Sequence, residues 1–190
     1  MSYAPAVISA RLGSRSRALT VVSVVAVAAL TAAAAQWRIP LWPVPVTGQT
    51  FAVLLGGAAL GWRAGGAAQL LYLAVGAAGV PVFTDGASGL AYLTGPTAGY
   101  LVAFPLAAAL VGRLAERRAD RRFWSMVGAF LAGSAVIYLG GVTGLVLLLD
   151  MTLPEAITAG VIPFLIGDGL KAAAAGVLLP AAWRVVSGKW

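Results

Sequence analysis

Asp168 and Lys171 are the residues in this chain best placed to do chemistry. They put a carboxylate and an ammonium three residues apart in Ile162-Pro163-Phe164-Leu165-Ile166-Gly167-Asp168-Gly169-Leu170-Lys171-Ala172, within a largely apolar run from Ala156 to Trp183. On a helix, i,i+3 spacing brings two side chains to one face, about 5–6 Å apart at Cβ, so the two can pair or grip one ligand. A charge at bilayer depth costs roughly 2.5–3.5 kcal/mol on insertion scales, so two of them need a reason to be there. One reason is a mutually neutralising structural pair; the other is a ligand site.

The surrounding elements must hold that pair in a membrane. The 190 residues are 61% hydrophobic and 10% charged, with a mean hydropathy of +0.93, whereas soluble domains carry about 25% charged residues. At about 20 apolar residues per crossing, the length suits one domain over residues 1–190 with roughly six spans. We expect an all-α integral membrane bundle with spans near 18–36, 50–62, 64–79, 97–114, 124–149 and 157–185. The first apolar run, after Arg17, is long enough to span and be retained. Three prolines in six residues, Pro40 to Pro45, end the first helix, and Trp37 and Trp42 mark an interfacial loop. Gly61 and Gly65-Gly66 bracket Arg63, which favours two short helices there over one bent span. If the last helix restarts at Pro163, Asp168 lies in its second turn, roughly 7–8 Å along the axis and in the outer half of the membrane. A continuous kinked helix would put it nearer the midplane.

Orientation follows from the basic residues. Eleven of thirteen Lys and Arg residues fall on one side when alternate connections are summed: the N-terminal head (Arg11, Arg15, Arg17), Arg63, five arginines between Gly112 and Phe123, and Arg184 with Lys189. The opposite connections hold only Arg38, and Lys171 lies within a span. Basic excess marks the cytoplasmic side, so both termini are expected inside, in the plasma membrane. This accounts for the net charge of +7 without a nucleic-acid partner. The outward connections, rich in glycine and proline, are candidate lids or cavity walls.

Several chemistries are excluded or weakened. With no cysteine and no histidine there is no thiolate, imidazole base or soft metal site, and of nucleophilic arrangements only a Ser134–Lys171 pairing stays open. A phosphate-binding loop needs G-x-x-x-x-G-K-[ST], yet Lys171 and Lys189 precede Ala172 and Trp190. A proton- or ion-coupled secondary carrier is the stronger rival to a binding subunit, although no second copy of the Asp/Lys element appears. In Val27–Ala35, Ala28, Ala29 and Ala33 belong to a small-residue strip, with Ala29 and Ala33 at i,i+4, suited to close helix packing with a partner or within the bundle.

Four motifs in order carry a family resemblance: Val44-Pro45-Val46-Thr47-Gly48-Gln49-Thr50, Gly79-Val80-Pro81-Val82-Phe83, Gly95-Pro96-Thr97-Ala98-Gly99-Tyr100 and Pro163-Phe164-Leu165-Ile166-Gly167-Asp168-Gly169-Leu170-Lys171. The chain from about Ala18 to Trp183 resembles BioY, the biotin-specific substrate-binding component of energy-coupling factor vitamin transporters. The resemblance implies a six-helix bundle that binds biotin near the outer face, beneath the loops between spans one and two and spans three and four. It also implies a transmembrane coupling protein that meets the alanine strip, two ATPase subunits, no cofactor and no enzymatic activity. Thr47, Gln49, Asp85, Tyr92, Tyr100, Asp168 and Lys171 would line the pocket, and Phe83 and Phe164 would help wall it. The sequence departs from members with a basic residue just after Gly-Pro-Thr, where it has Tyr100 and Leu101, so the ligand carboxylate must be met otherwise. Chemically, Asp168 suits a ureido N–H, while Lys171 suits the ureido carbonyl or the carboxylate.

Overall fold

The computed structural model describes residues 7–8 and 16–187; Arg11, Arg15 and Lys189, used in the charge count above, lie outside them. Seven α-helices occur among the described residues: α1 (Arg17–Gln36), α2 (Gln49–Leu60), α3 (Trp62–Ala77), α4 (Ala98–Glu116), α5 (Phe123–Leu149), α6 (Leu153–Gly160) and α7 (Leu165–Ser187). The chain is an all-α membrane protein. Three helices, α1, α4 and α5, and the broken unit running from α6 into α7 are each long and apolar enough to cross a bilayer. By contrast, α2 has 12 residues, about 18 Å at 1.5 Å per residue, short of the roughly 30 Å hydrocarbon core.

The break between α2 and α3 falls at Gly61, whose φ of 84° lies in the left-handed region that glycine enters without penalty. Trp62 and Arg63 belong to the first turn of α3 rather than to a linker. A Cβ on Gly65 would come within 2.7 Å of Gly57 Cα, so the two helices fold back on one another at small-residue distance. At the same level Glu116 of α4 accepts the Trp62 N–H.

The longest element, α5, has 27 residues and buries Met126, Phe130, Ser134, Ile137, Gly141 and Leu145 along one face, the i,i+4 and i,i+3 rows expected of a helix seated on a core. It packs most closely on α4. A Cβ on Gly99 would sit 2.1 Å from the Gly140 carbonyl, so this crossing exists only because both residues lack side chains.

Two loops lie over the end of the bundle away from the α4–α5 linker, the end that the charge asymmetry predicts to face outward. The first is a short hairpin in which β1 (Arg38–Ile39) pairs antiparallel with β2 (Val46–Thr47) in the register Arg38 to Thr47 and Ile39 to Val46, with the prolines in the turn between. The second, from Gly79 to Pro96, contains short 3₁₀ turns at Thr84–Gly86 and Leu90–Thr94. Gln36 at the end of α1 ties it down by donating to the Phe83 carbonyl at 3.0 Å and accepting the Gly86 N–H at 3.2 Å.

The last crossing is interrupted. Thr152 and Glu155 form a capping box that starts α6. The chain then leaves helical geometry at Val161, passes through a 3₁₀ turn at Ile162–Phe164, and restarts as α7 at Leu165. Asp168 therefore sits in the first turn of α7, near its N-terminal dipole end. Fifteen residues further, about 22 Å along the axis, the Trp183 indole donates to Asp120 in the α4–α5 linker. The guanidinium of Arg121 lies over the same ring, 3.4 Å from its centroid.

Candidate ligand-binding site

Lys171 and Asp168 meet the start of α2. The Lys171 ammonium donates to Asp168 Oδ1 at 2.8 Å, to Thr50 Oγ1 at 2.7 Å and to the Thr47 carbonyl at 3.1 Å. An ammonium has three N–H donors, so all three are used. Asp168, 6% exposed, accepts on Oδ1 from Lys171 and from Thr50 at 3.3 Å, and on Oδ2 from Tyr138 of α5 at 2.6 Å. A buried charge pair is tolerable only when its remaining hydrogen-bond capacity is met, and Thr50 and Tyr138 supply that.

Thr47 and Gln49 extend the network. The Thr47 hydroxyl donates to Gln49 Oε1 at 3.1 Å and accepts the Gln49 backbone N–H. Gln49 Nε2 donates to the Tyr72 hydroxyl at 2.7 Å, and Tyr72 donates in turn to the Val82 carbonyl. One hydrogen-bonded chain thus runs from α5 through α7 and α2 to α3 and the second outer loop.

Lys171 borders an inner chamber of about 40 Å³, lined also by Thr47, Gln49, Thr50, Tyr100 and Phe164. Val44 and Pro45 of the hairpin, with Thr84 of the second loop and Thr97 at the N-cap of α4, complete its lining on the side of the two loops. Tyr100 fits because two glycines make room: a Cβ on Gly141 would meet its ring at 2.1 Å, and one on Gly160 would meet its hydroxyl at 2.3 Å. That hydroxyl donates to the Gly160 carbonyl at 2.8 Å, so Tyr100 presents its ring, and Phe164 stands 6.3 Å away, centroid to centroid.

A second, larger space of about 410 Å³ lies between the two outer loops. It is lined by Arg38, Pro43, Asp85, Tyr92 and Pro96, and shares Pro45, Thr84 and Thr97 with the inner chamber. Small-molecule sites are about 300–1,000 Å³, so the outer space has the volume of one and the inner chamber does not.

The structure thus divides the residues singled out from sequence. Thr47, Gln49, Tyr100, Phe164 and Lys171 line the inner chamber, and Asp85 and Tyr92 line the outer one. Asp168 faces neither; it holds the ammonium from behind. Phe83 is fully buried, edge-on to Tyr72 and stacked on Tyr92 at 4.9 Å, as a plug under the second loop. Ser134 makes none of the three ammonium hydrogen bonds, which weighs against a Ser–Lys nucleophile. On α1, Ala29 and Ala33 are exposed while Ala28 is buried against the bundle. Sequence reasoning missed Tyr138 and Tyr72 as members of the polar network. The available signal was a tyrosine in the middle of each apolar segment, since a buried hydroxyl needs a partner.

Comparison with known proteins places this architecture. The BioY family model matches residues 8–188. A probable biotin transporter BioY from Pyrococcus horikoshii is 39% identical over 79% of this chain and 87% of its own length. A biotin transporter BioY from Thermotoga maritima is 37% identical over the same shares. Among solved structures, that of the S-component for biotin from an ECF-type ABC transporter superposes with a TM-score of 0.81, covering 88% of this chain and 92% of the other at 22% identity; at that identity it speaks to the fold. With the family model covering nearly the whole chain, this multi-pass protein of the plasma membrane belongs to the BioY family.

Proposed function

We propose that the chain captures biotin at the outer face of the membrane and serves its uptake as the substrate-binding subunit of an energy-coupling factor transporter. The observation that carries this reading is Lys171, a half-buried, fully hydrogen-bonded ammonium facing a chamber beneath two outer loops, in a chain whose relatives are named biotin transporters.

The chemistry suits a ureido ring. Such a ring has a carbonyl acceptor and two N–H donors. If Lys171 turns its longest hydrogen bond, that to the Thr47 carbonyl, onto the ureido oxygen, the vacated carbonyl can accept a ureido N–H. The exchange conserves hydrogen bonds and leaves the Asp168 pair intact, so no charge is stranded. Thr50 and Gln49 stand beside the same position, and the rings of Tyr100 and Phe164 offer apolar walls to a thioether ring. The inner chamber is too small for the whole ligand, so entry displaces Pro45, Thr84 or Thr97, which separate it from the outer space.

Energy for release comes from elsewhere, because the chain has no phosphate-binding loop. A coupling protein and two ATPase subunits are proposed, with the exposed Ala29 and Ala33 on α1 as the packing strip. Six membrane segments with both termini inside, α2 among them though too short to cross the full hydrocarbon core, accommodate this arrangement and keep the basic linker on the cytoplasmic side.

The test is native mass spectrometry of protein purified from biotin-supplemented cells. A bound mass equal to biotin supports the reading; a different bound molecule, or none after biotin is added, rejects it. Uptake in vesicles driven by a proton gradient with this chain alone would favour the stand-alone carrier instead.

A further inference from the structure

The outer space contains one basic side chain among the described residues, and it is only partly engaged. Arg38, at the first position of β1, forms an ion pair through its Nε with Asp85 of the second loop. Both are partly exposed, at 36% and 58% of their side chains, and both line the 410 Å³ space. A guanidinium carries five N–H donors in a planar fork, so pairing through Nε leaves four on the two terminal nitrogens. That edge can take a second carboxylate in bidentate fashion without releasing Asp85.

The geometry points to Arg38 as the group that reads the carboxylate of the ligand, with Asp85 as its positioning partner. This rests on the biotin reading above. A ligand with its polar ring at Lys171 extends outward past Pro45, Thr84 and Thr97, the three residues common to both chambers. Its far end then emerges into the outer space. Lys171 is a poor candidate for that end, because two of its donors stay on Thr50 and Asp168 and the third goes to the ureido oxygen. Tyr92 has no positive charge, and Asp85 repels a carboxylate unless Arg38 screens it. Position reinforces the assignment. Arg38 pairs in strand register with Thr47, whose carbonyl holds the Lys171 ammonium, so one hairpin spans the two subsites. The ion pair also joins the hairpin to the second loop, so a carboxylate arriving at Arg38 bridges both lids at once.

The experiment compares biotin with biotinamide, its uncharged carboxamide, for binding to the purified full chain. Wild type is expected to prefer the acid by about tenfold. Arg38→Gln should bring the two within about twofold, chiefly by weakening the acid, whereas Arg38→Lys should keep most of the preference. A preference unchanged in Arg38→Gln overturns the proposal, as does a wild type that binds acid and amide equally. Equal loss of both ligands in Arg38→Gln also overturns it, marking the pair as a clasp between loops rather than a reader of the carboxylate. A wild type that binds neither compound rejects the biotin reading itself, which separates the two failures.

Discussion

Lys171 has three acceptors from three sources, a carboxylate on its own helix, a hydroxyl on α2 and a carbonyl of the hairpin. Its removal therefore has two consequences. Lys171→Ala takes away the donor to the ligand, expected to cost at least about tenfold in affinity for a charge-assisted bond. It also strands Asp168 in a buried position, at about 3–5 kcal/mol of stability for a broken buried pair. Pairing it with Asp168→Asn should recover much of the thermal stability in detergent without restoring binding; equal instability of single and double variants would refute the neutralisation argument. Tyr138→Phe removes the hydrogen bond to Asp168 Oδ2 and leaves the ring. We expect a loss of about 1–3 kcal/mol in unfolding free energy, the usual cost of an unsatisfied partner, with ligand affinity falling less than in Lys171→Ala. Unchanged stability would mean that Asp168 finds another donor.

At the scale of elements, the site depends on glycines that let helices and rings approach. Gly141→Val drives a side chain into the Tyr100 ring, which has no space on that side, and overpacking of this kind costs about 1–3 kcal/mol or more. Loss of binding with a lowered unfolding temperature is expected, and normal binding would show that Tyr100 does not wall the ligand. At the other end, Asp120 is fully buried between the α4–α5 linker and Trp183. Burial raises its carboxyl above the ordinary 3.8, against the opposing effects of the Trp183 hydrogen bond and Arg121. A carboxyl raised in the folded state binds more protons folded than unfolded. Its contribution to stability is therefore greatest below the ordinary value and declines as pH rises through the folded one. Asp120→Asn should flatten that part of the pH profile of thermal unfolding; an unaltered slope would contradict it. Much at this scale was readable in the residues. Gly61 separated two short helices, and i,i+3 spacing made Asp168 and Lys171 partners; Pro163 signalled a break, but the helix restarts two residues later, at Leu165, so that Asp168 falls in its first turn and not its second. The rest depends on pairings no local pattern encodes. Tyr138 finds Asp168 thirty residues away, and Gln49 finds Tyr72 twenty-three away, because α5 and α3 happen to present those positions to α7 and α2. The division into two chambers was likewise hidden, since it is made by where two loops come to rest.

Across the whole molecule, the account joins a charge asymmetry to a direction. The basic linker Arg113–Arg122 and the Asp120–Trp183 contact lie at one end of α4 and α7, while the hairpin, the second loop and Lys171 lie toward the other. Because the chain has no cysteine, single cysteines introduced one at a time report sidedness cleanly. Ser88→Cys should react with an impermeant maleimide from outside intact cells, and Ala119→Cys only after permeabilisation. The reverse pattern would invert the topology and place the site on the wrong face for uptake. The central claim, that the Lys171 chamber is a biotin site, is tested most directly by isothermal titration of the purified protein with biotin, alongside Lys171→Ala. The account predicts saturable one-to-one binding to the wild type and at least about tenfold weaker binding to the variant. Equal affinity in the two proteins, or no binding to the wild type, would contradict it.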